Sequence, residues 1–220
     1  MKKVGLLLSG CGFNDGSEIH ESVISMLALD RAGVETVIMA PNIDQMHVVN
    51  HYTGQEMDEF RNVLVESSRI ARGNIKDMAE VTGNDLDALI IPGGFGVAKN
   101  LSDYAMAGPD CSVNPDVYRL VSEIYLLKKP IGAICIAPVM MAKIFGEQDE
   151  SAEMTIGSDE LTSKDINTMG SKHIKCLFSE MIIDEDKKLV TTPAYMEAQS
   201  IKEAAEGIEK LVKQVLLMIE

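Results

Sequence analysis

The chain has 220 residues, 46% of them hydrophobic and 25% charged, a globular balance that excludes a wholly disordered chain and suffices for a substantial core. Lys+Arg 20 against Asp+Glu 34 leaves a net charge of −14, which repels phosphate backbones and anionic lipid, so neither nucleic-acid nor membrane binding is expected. Tryptophan is absent and aromatics are 5%, so platforms for base stacking are scarce as well.

Residues 4–8 are apolar and run into Ser9-Gly10-Cys11-Gly12, which predicts a buried strand and a tight loop. Leu8-Ser9-Gly10-Cys11 also imitates a lipoprotein cleavage box, but residues 4–8 are shorter than the roughly 7–15 apolar residues of a signal core. Cytoplasmic residence is therefore the default expectation. A helix is predicted from about Ser17, with Asp15 and Glu18 as a capping pair, Ile19, Val23, Met26 and Leu27 as its apolar stripe, and Gly33 as its stop. Residues 36–39 are β-branched and lead to Pro41, giving a second strand. Residues 42–60 show no clear period, and 61–72 read as a helix.

Residues 87–91 form the next buried strand, stopped by Pro92-Gly93-Gly94. Asn114-Pro115 is a cap followed by proline in the first helical position, and Val117, Leu120, Val121 and Ile124 supply that helix's apolar face. Residues 131–134 are a further buried strand that runs directly into Cys135, and Pro138 opens a helix that Gly146 closes. Residues 147–172 are polar and read as loop-rich, with a short strand at 154–156. Residues 181–183 and 189–192 flank an acidic turn as a hairpin, and a last helix spans about 196–218. Strands alternating with helices predict one α/β domain over 1–220, a parallel sheet with helices on both faces.

Cys11, Cys111, Cys135 and Cys176 form no C-x-x-C pair, which argues against a zinc ribbon and fits a reducing compartment. His47 and His51 are four apart, as on one helix face, but no further ligand pattern joins them and no metal site is expected.

Ligands of open parallel sheets sit beyond the carboxyl ends of the strands. Cys135 stands at such an end, where a strand turns sharply into a helix. That turn presents a side chain above the sheet, and the helix amino end lowers a thiol pKa. The competing reading is an inert buried cysteine. Gly93 and Gly94 follow another strand and let backbone N–H groups approach an oxyanion closely; a plain tight turn is the alternative.

The blocks CGFNDGSEIHES (11–22), QMHVVNH (45–51), RNVLVESSRIARG (61–73), IPGGFGVAKNLS (91–102), KPIGAICIAP (129–138) and VTTPAYM (190–196) resemble the ThiJ/PfpI superfamily, and within it the ElbB-type, isoprenoid-biosynthesis glyoxalase-like subfamily. The resemblance implies a flavodoxin-like, class I glutamine-amidotransferase-like fold and a nucleophilic Cys135. It implies Glu21 as a protonated partner of the sulfur, with Glu18 as the nearby alternative. Gly93, Gly94 and Ile136 are the expected oxyanion and substrate-binding residues, and His20 and Asn14, with Glu18, are further pocket candidates. No cofactor is implied. The implied reaction converts small 2-oxoaldehydes such as glyoxal and methylglyoxal to 2-hydroxyacids, and a homodimer is implied as the default. Redox sensing through Cys135 is the alternative function. A cysteine hydrolase is disfavoured because neither 154–158 nor 193–197 contains the histidine that such enzymes place beside the thiol.

Overall fold

In a computed structural model that describes residues 1–219, the chain opens with β1 (Lys3–Leu7), α1 (Ile19–Arg31) and β2 (Glu35–Ala40). Residues 42–60, which carry no period, form the antiparallel hairpin β3 (Val48–Asn50) and β4 (Gln55–Met57). Then come α2 (Val63–Ile70), β5 (Lys76–Asp77) and β6 (Ala88–Ile91). A π-helical turn at Val97–Leu101 precedes α3 (Tyr104–Ala107), α4 (Pro115–Leu126), β7 (Ile131–Ile134) and α5 (Ala137–Glu147). The last third holds β8 (Glu153–Met154), α6 (Glu160–Thr168), β9 (Lys172–His173), β10 (Ile182–Asp184), β11 (Leu189–Thr192) and α7 (Ile201–Leu217).

Seven strands form one sheet in the order β10-β11-β7-β6-β1-β2-β5, all pairs parallel except β10 against β11. Its five central strands, β2-β1-β6-β7-β11, are in chain order 2-1-3-4-5, the flavodoxin-like arrangement. Alternation along the strands feeds two cores. Leu7, Met39, Leu89, Ile91, Ile131 and Ala133 pack toward α4 and α5, whereas Leu6, Leu8, Ile38, Ile90 and Ile134 pack toward α1 and α7. At about 25 cal/mol per Å² of apolar surface, these two layers are the main stabilising contribution.

Two expected elements differ. Helix α1 begins at Ile19 with Glu18 as its cap, the Glu18 carboxylate accepting from the Glu21 N–H at 2.7 Å, while Asp15 lies buried and accepts from the Val49 N–H at 2.7 Å. The helix buries Glu21, Ser22, Ile24, Ser25 and Leu29; of the expected stripe, Met26 packs partly buried against the core while Ile19, Val23 and Leu27 are exposed by 41–47%. Small polar residues let the helix approach the neighbouring loops closely, and that approach outweighs the apolar stripe. The second difference is α6, inside the segment read as loop-rich; Asp159 caps it by accepting from the Thr162 N–H at 2.8 Å. Only Thr162 and Ile166 are buried on this helix, so its sequence carries almost no apolar period.

Candidate active site

The site lies over the carboxyl ends of β1, β6, β7 and β11, at the crevice where strand order reverses. The loop after β6 is hydrogen-bonded along the loop that leads into α1. Glu18 N–H donates to the Gly93 carbonyl (2.9 Å), Phe95 N–H to Phe13 (2.7 Å), and Gly96 N–H to Gly16 (2.8 Å). Gly94 adopts φ 95°, and a Cβ there would sit 2.4 Å from the Glu18 nitrogen, so only glycine permits the approach. This joint sets the start of α1 against the end of β6.

Cys135 follows β7 with φ 62°, an unusual left-handed conformation for a non-glycine residue, and its N–H donates to the Thr192 carbonyl at 2.9 Å. The chain enters α5 two residues later. The side chain therefore stands up from the sheet at the floor of a cavity of about 930 Å³, with the residue 8% exposed. The Gly94 and Ile136 amides act on the sulfur in favour of its charged form, and the Glu21 carboxyl beside it opposes that charge.

Glu21 is fully buried, behind the sulfur and away from the cavity. Its Oε2 accepts from the Gly93 N–H at 2.8 Å and its Oε1 from the Tyr195 N–H at 3.4 Å. Gly93 makes the meeting possible, since a Cβ there would fall 2.5 Å from the Cys135 Cβ and 2.8 Å from the Glu21 Oε2. Burial, aided by the Glu18 charge, pushes the Glu21 pKa up to about 8, against the pull of the Gly93 and Tyr195 amides. Burial and the neighbouring Glu21 also push the Cys135 thiol well up. The expectation of a thiol acidified by the helix amino end is thus corrected, because desolvation exceeds what the two N–H groups contribute. The two groups titrate as a pair that holds its protons into the neutral range.

Of the other expected residues, Gly94, Ile136, Glu18 and His20 line the cavity. His20 Nδ1 lies 2.8 Å from the Tyr195 hydroxyl. Gly93 and Asn14 do not line it. The Gly93 N–H is committed to Glu21 and is no oxyanion donor. Asn14 faces the β3–β4 hairpin, its carbonyl accepting from Lys99 Nζ (2.7 Å) and its N–H donating to His51 (3.2 Å). His47 and His51 flank strand β3 rather than sharing a helix face. His173, expected in a different context from the thiol, lines a separate cavity of about 550 Å³.

Sequence reasoning passed over Tyr195, Tyr104, Asp159, Leu161 and Asp165, all in the wall of the Cys135 cavity. Tyr195 stood in the quoted VTTPAYM block, directly after a strand end, and position alone could have singled it out. The others lie on α3 and α6 or at their ends, where no sequence period marks an inward face.

A family model described as the DJ-1/PfpI family matches residues 10–198. The chain is 43% identical to the ES1 protein homolog, mitochondrial, of Rattus norvegicus, over 97% of this chain and 83% of that protein. It is also 43% identical to the glutamine amidotransferase-like class 1 domain-containing protein 3, mitochondrial, of Homo sapiens, over 97% and 82%. Among solved structures, an isoprenoid biosynthesis protein with an amidotransferase-like domain from Ehrlichia chaffeensis superposes with a TM-score of 0.93 at 36% identity, covering 100% of both chains. The mitochondrial relatives overturn the expectation of cytoplasmic residence. Unpaired cysteines report a reducing environment, which more than one compartment provides.

Proposed function

The chain belongs to the DJ-1/PfpI family, and on that premise we propose that it is a cofactor-independent, glyoxalase-like enzyme that converts small 2-oxoaldehydes to 2-hydroxyacids through Cys135. Cysteine-dependent enzymes occur in the family, as do redox-sensitive proteins. The reading takes residues 1–220 as one domain of the ElbB type, supported by the likeness to the isoprenoid biosynthesis protein.

The observation that carries it is the hydrogen-bonded Glu21–Cys135 pair, buried beneath a cavity with two N–H groups at the sulfur. When the pair has lost one proton, the charge rests on the Glu21 carboxylate, which takes up the thiol proton as the sulfur attacks. The thiolate attacks the aldehyde carbon, forming a C–S bond as the C=O electron pair moves onto oxygen. The same N–H groups turn to that oxyanion, and the Glu21 proton neutralises it. A carbon bonded to Sγ comes within reach of the carboxyl that touches Sγ. Glu21 then removes the C1 proton to give an enediol and returns it to C2 while the C1 hydroxyl proton passes to the C2 oxygen, leaving a thioester of the 2-hydroxyacid. Water cleaves the C–S bond, the acid leaves, and the thiol recovers its proton.

The test is to follow methylglyoxal loss and lactate formation for the wild type and Cys135→Ala, with circular dichroism to show that both are folded. Loss of turnover in the folded variant supports the reading; an unchanged rate overturns it. Oxygen addition confined to Cys135 under mild peroxide, with no turnover in the wild type, favours redox sensing instead. We also propose a homodimer, as the resemblance implies, using the exposed Ile19, Val23 and Leu27 stripe of α1. Sedimentation at micromolar concentration tests it, and a monomer there refutes it.

A further inference from the structure

The Cys135 cavity, at about 930 Å³, matches the upper end of the roughly 300–1,000 Å³ range of drug-sized ligand sites. A three-carbon aldehyde leaves most of that space unfilled. What lines the remainder is specific. Of five phenylalanines and five tyrosines in the whole chain, Phe13, Phe95, Tyr104 and Tyr195 stand in this one wall. Phe13 and Phe95 are about half exposed (49% and 48%), and Leu161, also in the wall, is 72% exposed. Apolar rims of this kind mark surfaces that are covered in use.

The charged groups of the wall are acidic. Asp159, Asp165 and Glu18 line it, and among the described residues that do so there is no lysine or arginine. Asp165 accepts from the Tyr104 hydroxyl at 2.7 Å, which fixes a carboxylate beside an aromatic ring. The Thr162 hydroxyl and amide hold the Asp159 carboxyl below its usual range, so it is charged at working pH. Ring faces and carboxylates attract cations by the same sign of field; Lys99 Nζ already lies 4.8 Å over the Phe95 ring, so the ring offered to a ligand cation is Tyr104 beside Asp165, and the net charge of −14 adds at longer range.

We propose that the cavity takes a carbonyl compound whose apolar body carries an ammonium or guanidinium group, the carbonyl end at Cys135 and the cation between the Tyr104 ring and the Asp159–Asp165 edge of α6. This substrate class rests on the proposed carbonyl chemistry, but its recognition is separable from turnover. The test uses the folded full-length Cys135→Ala protein, which cannot turn over, and three probes of one shape: benzylamine, benzyl alcohol and benzoate. Titration calorimetry is expected to give benzylamine about tenfold tighter binding than benzoate, with the alcohol between. Asp159→Asn with Asp165→Asn keeps the helix cap and the tyrosine's acceptor, and should bring the three probes within about threefold.

Equal or tighter binding of benzoate overturns the proposal, as does no binding of any probe or a preference that survives the double substitution. Wild-type turnover of methylglyoxal is measured separately. Absent turnover with intact cation preference would sink the glyoxalase reading alone, and turnover without that preference would sink this one alone.

Discussion

Helix α6 separates two cavities of opposite character. Asp159, Leu161, Thr162 and Asp165 at and along it face the cavity that holds Cys135, with His20 in its wall. Ser163, Lys164, Asn167 and Thr168 face the other, where His173 stands among lysines but no cysteine lines the wall. His173 Nε2 accepts from the Ile156 N–H at 3.3 Å and lies 3.4 Å from the Ser163 hydroxyl, and burial lowers its pKa. The difference teaches that a histidine present in a chain is not thereby a catalytic base. What matters is what it meets: His173 lies across α6 from the sulfur, and the His20 imidazole on the near side, in the cavity wall, is engaged by the Tyr195 hydroxyl at 2.8 Å. Beneath the Cys135 cavity the sulfur meets a buried carboxyl instead.

That contrast is open to breakage. Cys135→Ala should have the largest effect, a fall in kcat/KM of at least ~10³-fold, read as methylglyoxal turnover by folded protein. Glu21→Gln comes next, at roughly 10²-fold. With Glu21 lifted to about 8, the wild-type kcat/KM should rise with pH through that region, and the glutamine variant should lose this limb.

The same carboxyl has a stability signature. Its pKa is raised from 4.5 to about 8, so between those values the folded state holds a proton that the unfolded state has released. Stability is therefore fully present below about pH 4.5 and declines as pH rises toward about 8. Glu21→Gln should flatten that slope and denature later than wild type in urea above pH 8. A slope that persists in the variant would mean that Glu21 is ionised in the fold.

Gly93→Ala sharpens the contrast by crowding the pair without removing either group. Its Cβ meets Cys135 and Glu21 at under 3 Å, and a loss of about 1–3 kcal/mol in a urea titration is expected together with weakened turnover. The smallest effect belongs to the other cavity. His173→Ala should change turnover by less than about twofold, since it stands across α6 from the sulfur. A large loss there would revive the hydrolase reading.

Much of the architecture was legible because local rules govern it. Residues 88–91 and 131–134 are apolar without alternation, as strands buried on both faces must be, and appear as β6 and β7. Asn114-Pro115 starts α4 as a cap and proline should, the Asn114 side chain accepting from the Asp116 and Val117 amides. The position of Cys135 at a strand-to-helix turn was equally readable, since strand, proline and cysteine are neighbours in sequence. Helix α6 was not, because it walls two cavities and covers little core, leaving its residues no apolar period to follow.

Sequence by itself thus settled the parallel α/β sheet and the cysteine at the end of one of its strands, since hydrophobic runs and turn residues act over a few positions. Tertiary structure alone decided that α1 turns Glu21 inward and Ile19, Val23 and Leu27 outward, and that Gly93 gives its N–H to a carboxyl 72 residues away. A buried charge is set by whatever removes water from it. For Glu21 that is the packing of separate segments against one another, which no local pattern encodes.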